Sequence, residues 1–380
     1  KQKEKEFIAE KAPFVTIQIP TYNELVALRC AEKCLEFDYP EDKFEIIIGD
    51  DSNNPAISKK IDAFAKKYEK VIITRRGNNI GYKAGNLNYM LKKSKGEILV
   101  LFDSDFVPEK DFLKRIIAPF IDDKTISGVQ ARWKFIEQNK NPVSILGSTI
   151  QAVFHHIHLP FINKIGKVSF LCGSAEAVRK KDLIELGSWE NGSLTEDIEF
   201  SLNLLKNGKK IIYLDKLECF GEVPYKAKDL YKQQMRWAYG VISSFKKHFK
   251  TLFLSKKISF KEKAYICLFC SGYLLSFLLL ALFITGTLSF ITHTPGPIDL
   301  ERFFSELIRN VLLTSGIIVA GIFAMIKTKN IKKLAAMVAA SFSIGLVVAY
   351  YVNIGILKVF FNRPMHWYML SKSGNKISQL

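Results

Sequence analysis

The order of apolar and polar positions divides the chain into two unlike parts. Through roughly the first 245 residues, short apolar runs alternate with amphipathic stretches. The runs at 14–19 (FVTIQI), 44–48 (FEIII), 71–74 and 97–102 are strand-length and rich in Val and Ile, the signature of strands covered on both faces. Helices are predicted after the first run to about Phe37 and over about 82–93, and Cys30 and Cys34 share a face of the first. A further strand is expected at 125–135 and a long helix at 142–164. Strand and helix in turn predict a doubly wound α/β sheet, whose ligands gather beyond the carboxyl ends of the strands.

The second part carries three long apolar runs, at 264–292, 310–326 and 334–357. About 20 apolar residues cross a bilayer, so a membrane region is expected and a soluble helical domain is disfavoured; the third run is left open between a full span and a re-entrant or partly inserted segment. Thr294-Pro-Gly-Pro297 breaks the first run from the second, while Lys327, Lys329, Lys332 and Lys333 mark a loop on the inside. The Lys-rich stretch 246–263 suits the surface of the cytoplasmic leaflet. The expected division is 1–245, a cytoplasmic domain; 246–263, a surface segment; 264–361, the membrane region; and 362–380, a tail. Three crossings would leave that tail outside. Lys1 to Lys11 is charged without an apolar centre, so no cleavable signal is expected. The chain starts at Lys1, not Met, and its native start is expected upstream.

Lys plus Arg number 55 against 37 acids, a net charge of +18, which points to anionic partners. The excess Lys concentrates beside the apolar runs, so a lipid bilayer is expected and nucleic acid is not. The six Cys fit no ligand pattern with His, and free thiols in a reducing compartment are expected.

Chemistry-bearing residues gather at the predicted strand ends: Thr21, Tyr22 and Glu24; Asp50 and Asp51; Asp103-Ser-Asp105. No G-x-G-x-x-G or Walker loop occurs. Asp103 and Asp105 can hold a hard cation, Mg²⁺ or Mn²⁺, while a substrate diphosphate completes its shell. Lys83 opens a helix where phosphate would suit it. His155, His156 and His158 point apart on a helix, and no Cys or acid completes a metal set.

A helix is predicted from a capping box of Ser193 and Glu196, with Asn207-Gly208 as its stop. Ile198, Leu202 and Leu205 would anchor it, and Asp197 would sit in its first turn, where the dipole favours a carboxylate. Downstream, Gln233, Arg236 and Trp237 share one helix face. Arg offers paired donors to a diphosphate and Trp a stacking surface for a sugar. Read singly, these are also what an ordinary surface helix carries.

PTYNE, DDS, KAGNLN, DSD, CGS, TED and QQMRW stand in the order seen in glycosyltransferase family 2. The chain most resembles its membrane-embedded cellulose-synthase-like branch, which includes cellulose, hyaluronan, glucan and mannan synthases. VQARWKF (129–135) and EVPYKAKDLYKQQMRW (222–237) look like the plant glucan and glucomannan backbone synthases. The resemblance implies a GT-A type mixed sheet with interface helices, followed by transmembrane helices. It implies that Thr21, Tyr22, Glu24, Asp50 and Asp51 hold the nucleoside, without deciding which Asp meets the base. Lys83 would meet the diphosphate, Asp103 would lie by the nucleotide and Asp105 on the metal. Asp197 would be the general base with Glu196 beside it, and Gln233 and Arg236 would grip the pyrophosphate. Trp237, with Cys172, Gly173 and Ser174, would line the acceptor. Trp367 to Gly374 loosely resembles a cytoplasmic motif near the substrate, in conflict with a tail outside.

The expected activity is metal-dependent inverting transfer from a nucleotide sugar to a growing β-linked polysaccharide. UDP-glucose is the favoured donor, with UDP-N-acetylglucosamine and GDP-mannose as alternatives. The alternative reactions are single-sugar transfer to a lipid or polyprenyl phosphate and, outside enzymes, a membrane-anchored binding module. Three spans are few to enclose a channel, so upstream helices or a homo-oligomer would be required.

Overall fold

The computed structural model describes residues 7–292, 299–314 and 316–374. The expected break at 294–297 and the first six residues of the charged lead-in lie outside them. Seven strands form one mixed sheet: β1 (Val15–Thr21), β2 (Phe44–Asp50), β3 (Val71–Thr74), β4 (Ile98–Leu101), β5 (Ile126–Ile136), β6 (Glu176–Arg179) and β7 (Lys210–Glu222), in the order β3-β2-β1-β4-β6-β5-β7. Only β6 runs against its neighbours. The other strands therefore end at one edge, where Thr21 pairs with Asp50.

The apolar runs are continuous because both faces are covered. Ile46 and Ile48 of β2 join one core with Cys30 and Cys34 of α1 (Val26–Leu35), Ile61 of α2 (Pro55–Ala65) and Phe112 of α4 (Phe112–Asp122). Ile47, pointing the other way, joins a second core with Leu87 of α3 (Tyr82–Leu91). β4 divides likewise, Ile98 and Val100 to one side and Leu99 and Leu101 to the other. Each fully buried Ile or Leu contributes about 1.5–3 kcal/mol, so β1, β2 and β4 are the rigid floor under the strand ends.

The predicted helix at 142–164 is interrupted. α5 (Pro142–Val153) starts from an Asn141–Ser144 capping box, then gives way to π-helical turns at Phe154–His158 and Ile162–Gly166 around a short α6 (Leu159–Phe161). Pro160 has no N–H to continue an α ladder, and wider turns take up the mismatch. After α7 (Lys180–Glu185) and α8 (Glu196–Lys206) comes α9 (Ala227–Leu254), roughly 42 Å long at 1.5 Å per residue. It crosses position 245 without a break, so Gln233, Arg236 and Trp237 and the start of the Lys-rich stretch share one rod.

The apolar runs form α10 (Phe260–Ser271), α11 (Leu274–Thr292), α12 (Leu300–Thr314), α13 (Gly316–Lys327), α14 (Leu334–Phe342) and α15 (Ile344–Phe360). No single helix among the described residues is long and apolar enough to cross a membrane. Two bent pairs qualify by length and composition, α10 with α11 at 56° and the 331–360 segment at 50°. α11 exposes Leu278, Leu282, Leu288 and Ile291, a surface that suits lipid better than water. α15 lies back along α9, with Val352, Ile356 and Val359 against Leu230, Ala238 and Ile242. Gly355 permits this, because a Cβ there would lie 2.6 Å from the Met235 carbonyl oxygen. The tail after Phe360 is thereby delivered to the edge of the sheet where the parallel strands end.

Candidate active site

A cleft opens over the carboxyl ends of β1, β2 and β4, walled by α8 and α9. Of the residues expected from sequence, Thr21, Tyr22, Glu24, Asp51, Lys83, Asp103, Asp105, Cys172, Gly173, Glu196, Asp197, Gln233, Arg236 and Trp237 all line it. Asp50 and Ser174 are not brought to the lining. Asp50 is fully buried and its oxygens are taken by Ser52 N, Ser58 Oγ and a double bond from Arg75. It braces the β2 end, leaving Asp51 as the acid that faces the cleft, with Arg76 donating to both its oxygens at 2.9 and 2.6 Å. Ser174 lies beneath the site and accepts from Asp103 N at 2.9 Å.

The expected Ser193–Glu196 capping box does not form. Thr195 is the N-cap, with no side-chain cap bond, because Glu196 is drawn away to Lys83 at 3.1 Å. The Asn207-Gly208 stop is present, with Gly208 at φ 75 and Lys209 N donating to Leu204 O. Ile198, Leu202 and Leu205 are buried as expected.

Lys83 is the hub of the acidic floor. Its ammonium meets Asp103 at 2.7 Å and Glu196 at 3.1 Å and donates to Gly173 O at 2.5 Å. Burial opposes its charge, but Asp103 and then Glu196 outweigh this and push its pKa up. Asp197 stands beside this hub in the first turn of α8. Burial first, and then the like charge of Glu196, raise its carboxyl to about 7, where it can exchange a proton near neutrality. Arg236 donates to Leu194 O at 2.8 Å, which holds the guanidinium beside that turn.

The C-terminal segment supplies residues that sequence periodicity did not reveal. Trp367 stacks on Tyr82 at 6.4 Å and meets Tyr22 edge-on at 5.9 Å. Tyr368 and Ser371 N bond Asp229 of α9, and Ser373 N and Gly374 N bond the Glu222 carboxylate. Lys372 reaches Asp105 at 3.0 Å, Glu24 at 2.8 Å and Ser104 Oγ at 2.6 Å. Crossing parity and the resemblance of 367–374 to a substrate-side motif pointed opposite ways in the sequence; the segment lies at the cleft.

The end of β4 carries two carboxylates, oxygen donors of the kind a hard divalent cation takes. Asp103 and Asp105 each hold an ammonium group, Lys83 and Lys372, so each already has a cation opposite its carboxylate. No cluster of three or more His, Cys, Asp or Glu that could hold a metal occurs among the described residues. The protein would supply two oxygens or slightly more, and a diphosphate and water the rest.

Behind Trp237 the cleft adjoins a second cavity, reached past Cys172, Thr195 and Asp197 and walled by Trp133, Phe154, Phe269 and Tyr273. Four buried polar atoms of its lining have no partner among the described residues: His155 Nε2, His158 Nε2, Thr195 Oγ1 and Gln234 Nε2. No Lys or Arg lines it, and burial keeps His155 and His158 neutral.

Residues 12–240 match the sequence model of the family described as Glycosyltransferase like family 2. The chain belongs to glycosyltransferase family 2. It is 30% identical over 267 residues to glucomannan 4-beta-mannosyltransferase 2 of Arabidopsis thaliana, covering 67% of this chain and 49% of that one. It is 29% identical over 266 residues to probable glucomannan 4-beta-mannosyltransferase 7 of Oryza sativa subsp. japonica, covering 67% and 45%. The chain thus spans about half the length of the curated relatives it matches. Among solved structures, the mannosyltransferase PcManGT from Pyrobaculum calidifontis, in complex with GDP-Man and Mn²⁺, superposes with a TM-score of 0.65. That match covers 96% of this chain and 92% of the other at 16% identity, a likeness of fold. The mixed sheet is accordingly of the GT-A type carried by this family-2 chain.

Proposed function

We propose that this family-2 chain is an inverting mannosyltransferase that extends a β-linked glycan from GDP-mannose at the face of a membrane. The observation that carries the reading is the placement of Asp197. A buried carboxylate with a pKa near neutrality lines the same cleft as Gln233, Arg236, Trp237, Asp103 and Asp105. In the reaction, Asp197 takes the proton of an acceptor hydroxyl as its oxygen bonds to the anomeric carbon from the face opposite the diphosphate. The bond to the diphosphate breaks with its electron pair leaving on that group. Arg236 and Gln233, which line the same cleft, would hold it, and a cation held by Asp103 and Asp105 would stabilise its charge.

UDP-glucose was the donor favoured from sequence. The names of the similar plant enzymes and the GDP-Man bound to the structural neighbour turn the choice to GDP-mannose. The acceptor reading rests on the second cavity. Aromatic walls, unpartnered polar atoms and no cation suit a neutral saccharide, whereas a polyprenyl phosphate would bring a charge with nothing to pair it. The bent apolar pairs support a membrane-embedded C-terminal region, with the catalytic domain on the cytoplasmic side of the Lys327–Lys333 loop.

The test is Asp197→Asn in lipid-reconstituted protein given labelled GDP-mannose. Turnover should fall by roughly 100-fold or more while donor binding persists. Transfer at the wild-type rate would remove the base assignment. Label confined to a lipid-sized product would replace the polymer reading by single-sugar transfer.

A further inference from the structure

Glu176 is a fully buried acid at the first position of β6, opposite Leu101 of β4 and Gln130 of β5. Its Oε2 accepts from Gly173 N at 2.7 Å and Cys172 N at 2.9 Å, so one oxygen ties the turn that leads into β6. Its Oε1 is buried with no partner among the described residues. Nothing in the sugar-transfer reading uses this group.

The turn it ties touches the reacting side of the cleft. Gly173 adopts φ +87, which a residue with a side chain rarely tolerates, and a Cβ there would lie 3.2 Å from both Asp197 Oδ2 and Lys83 Nζ. The carbonyl of the same residue accepts from Lys83. The next residue, Ser174, receives Asp103 N through its hydroxyl and Trp133 Nε1 through its carbonyl. Cys172 N has a second acceptor in Gln130 Oε1, but Gly173 N has only Glu176 among the described contacts. A single carboxyl thus sets the backbone against which the general base, the hub lysine and the Asp-x-Asp strand end are packed.

We propose that Glu176 is the positioning residue for Asp197, acting through the Cys172–Gly173 amides to set the turn that flanks the base. The inference rests on the reading of Asp197 as the base. Electrostatics agrees with the geometry. Burial, and then the nearby Asp197, push the Glu176 carboxyl up to about 8, while Lys83 and the Gly173 amide pull it down and Glu196 raises it further. The shift favours the protonated carboxyl, the form that sits behind the base without repelling it. The proton belongs on Oε1, since Oε2 is occupied by the two amides. Gln at this position keeps an acceptor oxygen and the uncharged state, whereas Ala leaves Gly173 N buried without an acceptor.

The test compares Glu176→Ala and Glu176→Gln in the full chain, with donor binding, donor KM and kcat measured for each. Displacing a reacting group by about 1 Å costs up to roughly 100-fold, so E176A should lower kcat ten- to a hundredfold with donor KM within about threefold of wild type. E176Q should recover most of that loss. Wild-type kcat in E176A overturns the proposal, as does a folded E176Q as slow as E176A. An effect carried entirely by donor KM also overturns it, because that would place Glu176 with the nucleotide. If E176A does not fold, E176Q and Gly173→Ala decide: near-normal kcat in the first and a tenfold or greater loss in the second are expected, and the reverse order refutes. Asp197→Asn run alongside separates the two readings, since an active D197N would undo the base assignment whatever Glu176 does.

Discussion

Asp197 can serve as a base only when unprotonated, so its raised pKa should be visible as an acid limb in the pH dependence of turnover. Its carboxyl moves from 3.8 to about 7, which at 1.36 kcal/mol per pKa unit is about 4 kcal/mol of bias toward the protonated form. Burial is the largest cause and the like charge of Glu196 the next, while Lys83 and Arg236 act the other way. Glu196→Gln removes the second cause. It also deprives Lys83 of its 3.1 Å partner, which leaves the ammonium freer to favour the Asp197 anion. Both effects have one sign, so the Asp197 pKa should fall, by about one unit for a close like charge. With the pKa moving from about 7 to about 6, the unprotonated fraction at pH 6 rises from roughly a tenth to roughly a half. The assay is kcat/KM for the donor between pH 5 and 9, because that ratio reports groups of the ligand-free protein. Each variant is normalised to its own plateau, so any loss of rate from the substitution itself drops out. Relative activity at pH 6 should be about fivefold higher in E196Q than in wild type. A limb unmoved or displaced to higher pH would refute the electrostatic account of the site.

Four further outcomes are expected. Excess chelator should abolish transfer and Mn²⁺ or Mg²⁺ restore it, with Asp105→Asn requiring more metal; full activity in chelator would refute the Asp103–Asp105 assignment. Asp50→Ala should lower stability by about 1–3 kcal/mol in denaturant melts, because it leaves Ser52 N and Ser58 Oγ without their acceptor while Arg75 keeps Asp62, and Asp51→Ala should raise donor KM. Trp237→Ala should stop chain elongation while donor binding persists, read as product length on labelled donor. A nucleotide-release screen should rank GDP-mannose above UDP-glucose; the opposite order would overturn the donor choice.

The sheet was legible because its strands are covered on both faces, and two-sided burial writes itself as an uninterrupted apolar run, as in Ile46, Ile47 and Ile48. Thr21, Asp51, Asp103 and Asp105 were legible for a related reason: polar residues directly after such runs must lie at one sheet edge. The helix stop at Asn207-Gly208 and the shared face of Gln233, Arg236 and Trp237 are local, set by backbone geometry within one or two turns. The tertiary structure decided what depends on distant partners. Whether Asp50 or Asp51 faces the cleft was set by Arg75 and Arg76, about 25 residues away, and whether Glu196 caps its helix was set by Lys83. Glu176 has the composition of an ordinary strand residue, and only the return of the 172–175 turn over its carboxylate marks it out. Lys372 lies 267 residues from Asp105 and meets it because α15 folds back along α9. A hydrophobic run records which faces of an element are covered; it does not record which charge, from anywhere in the chain, will be the nearest one.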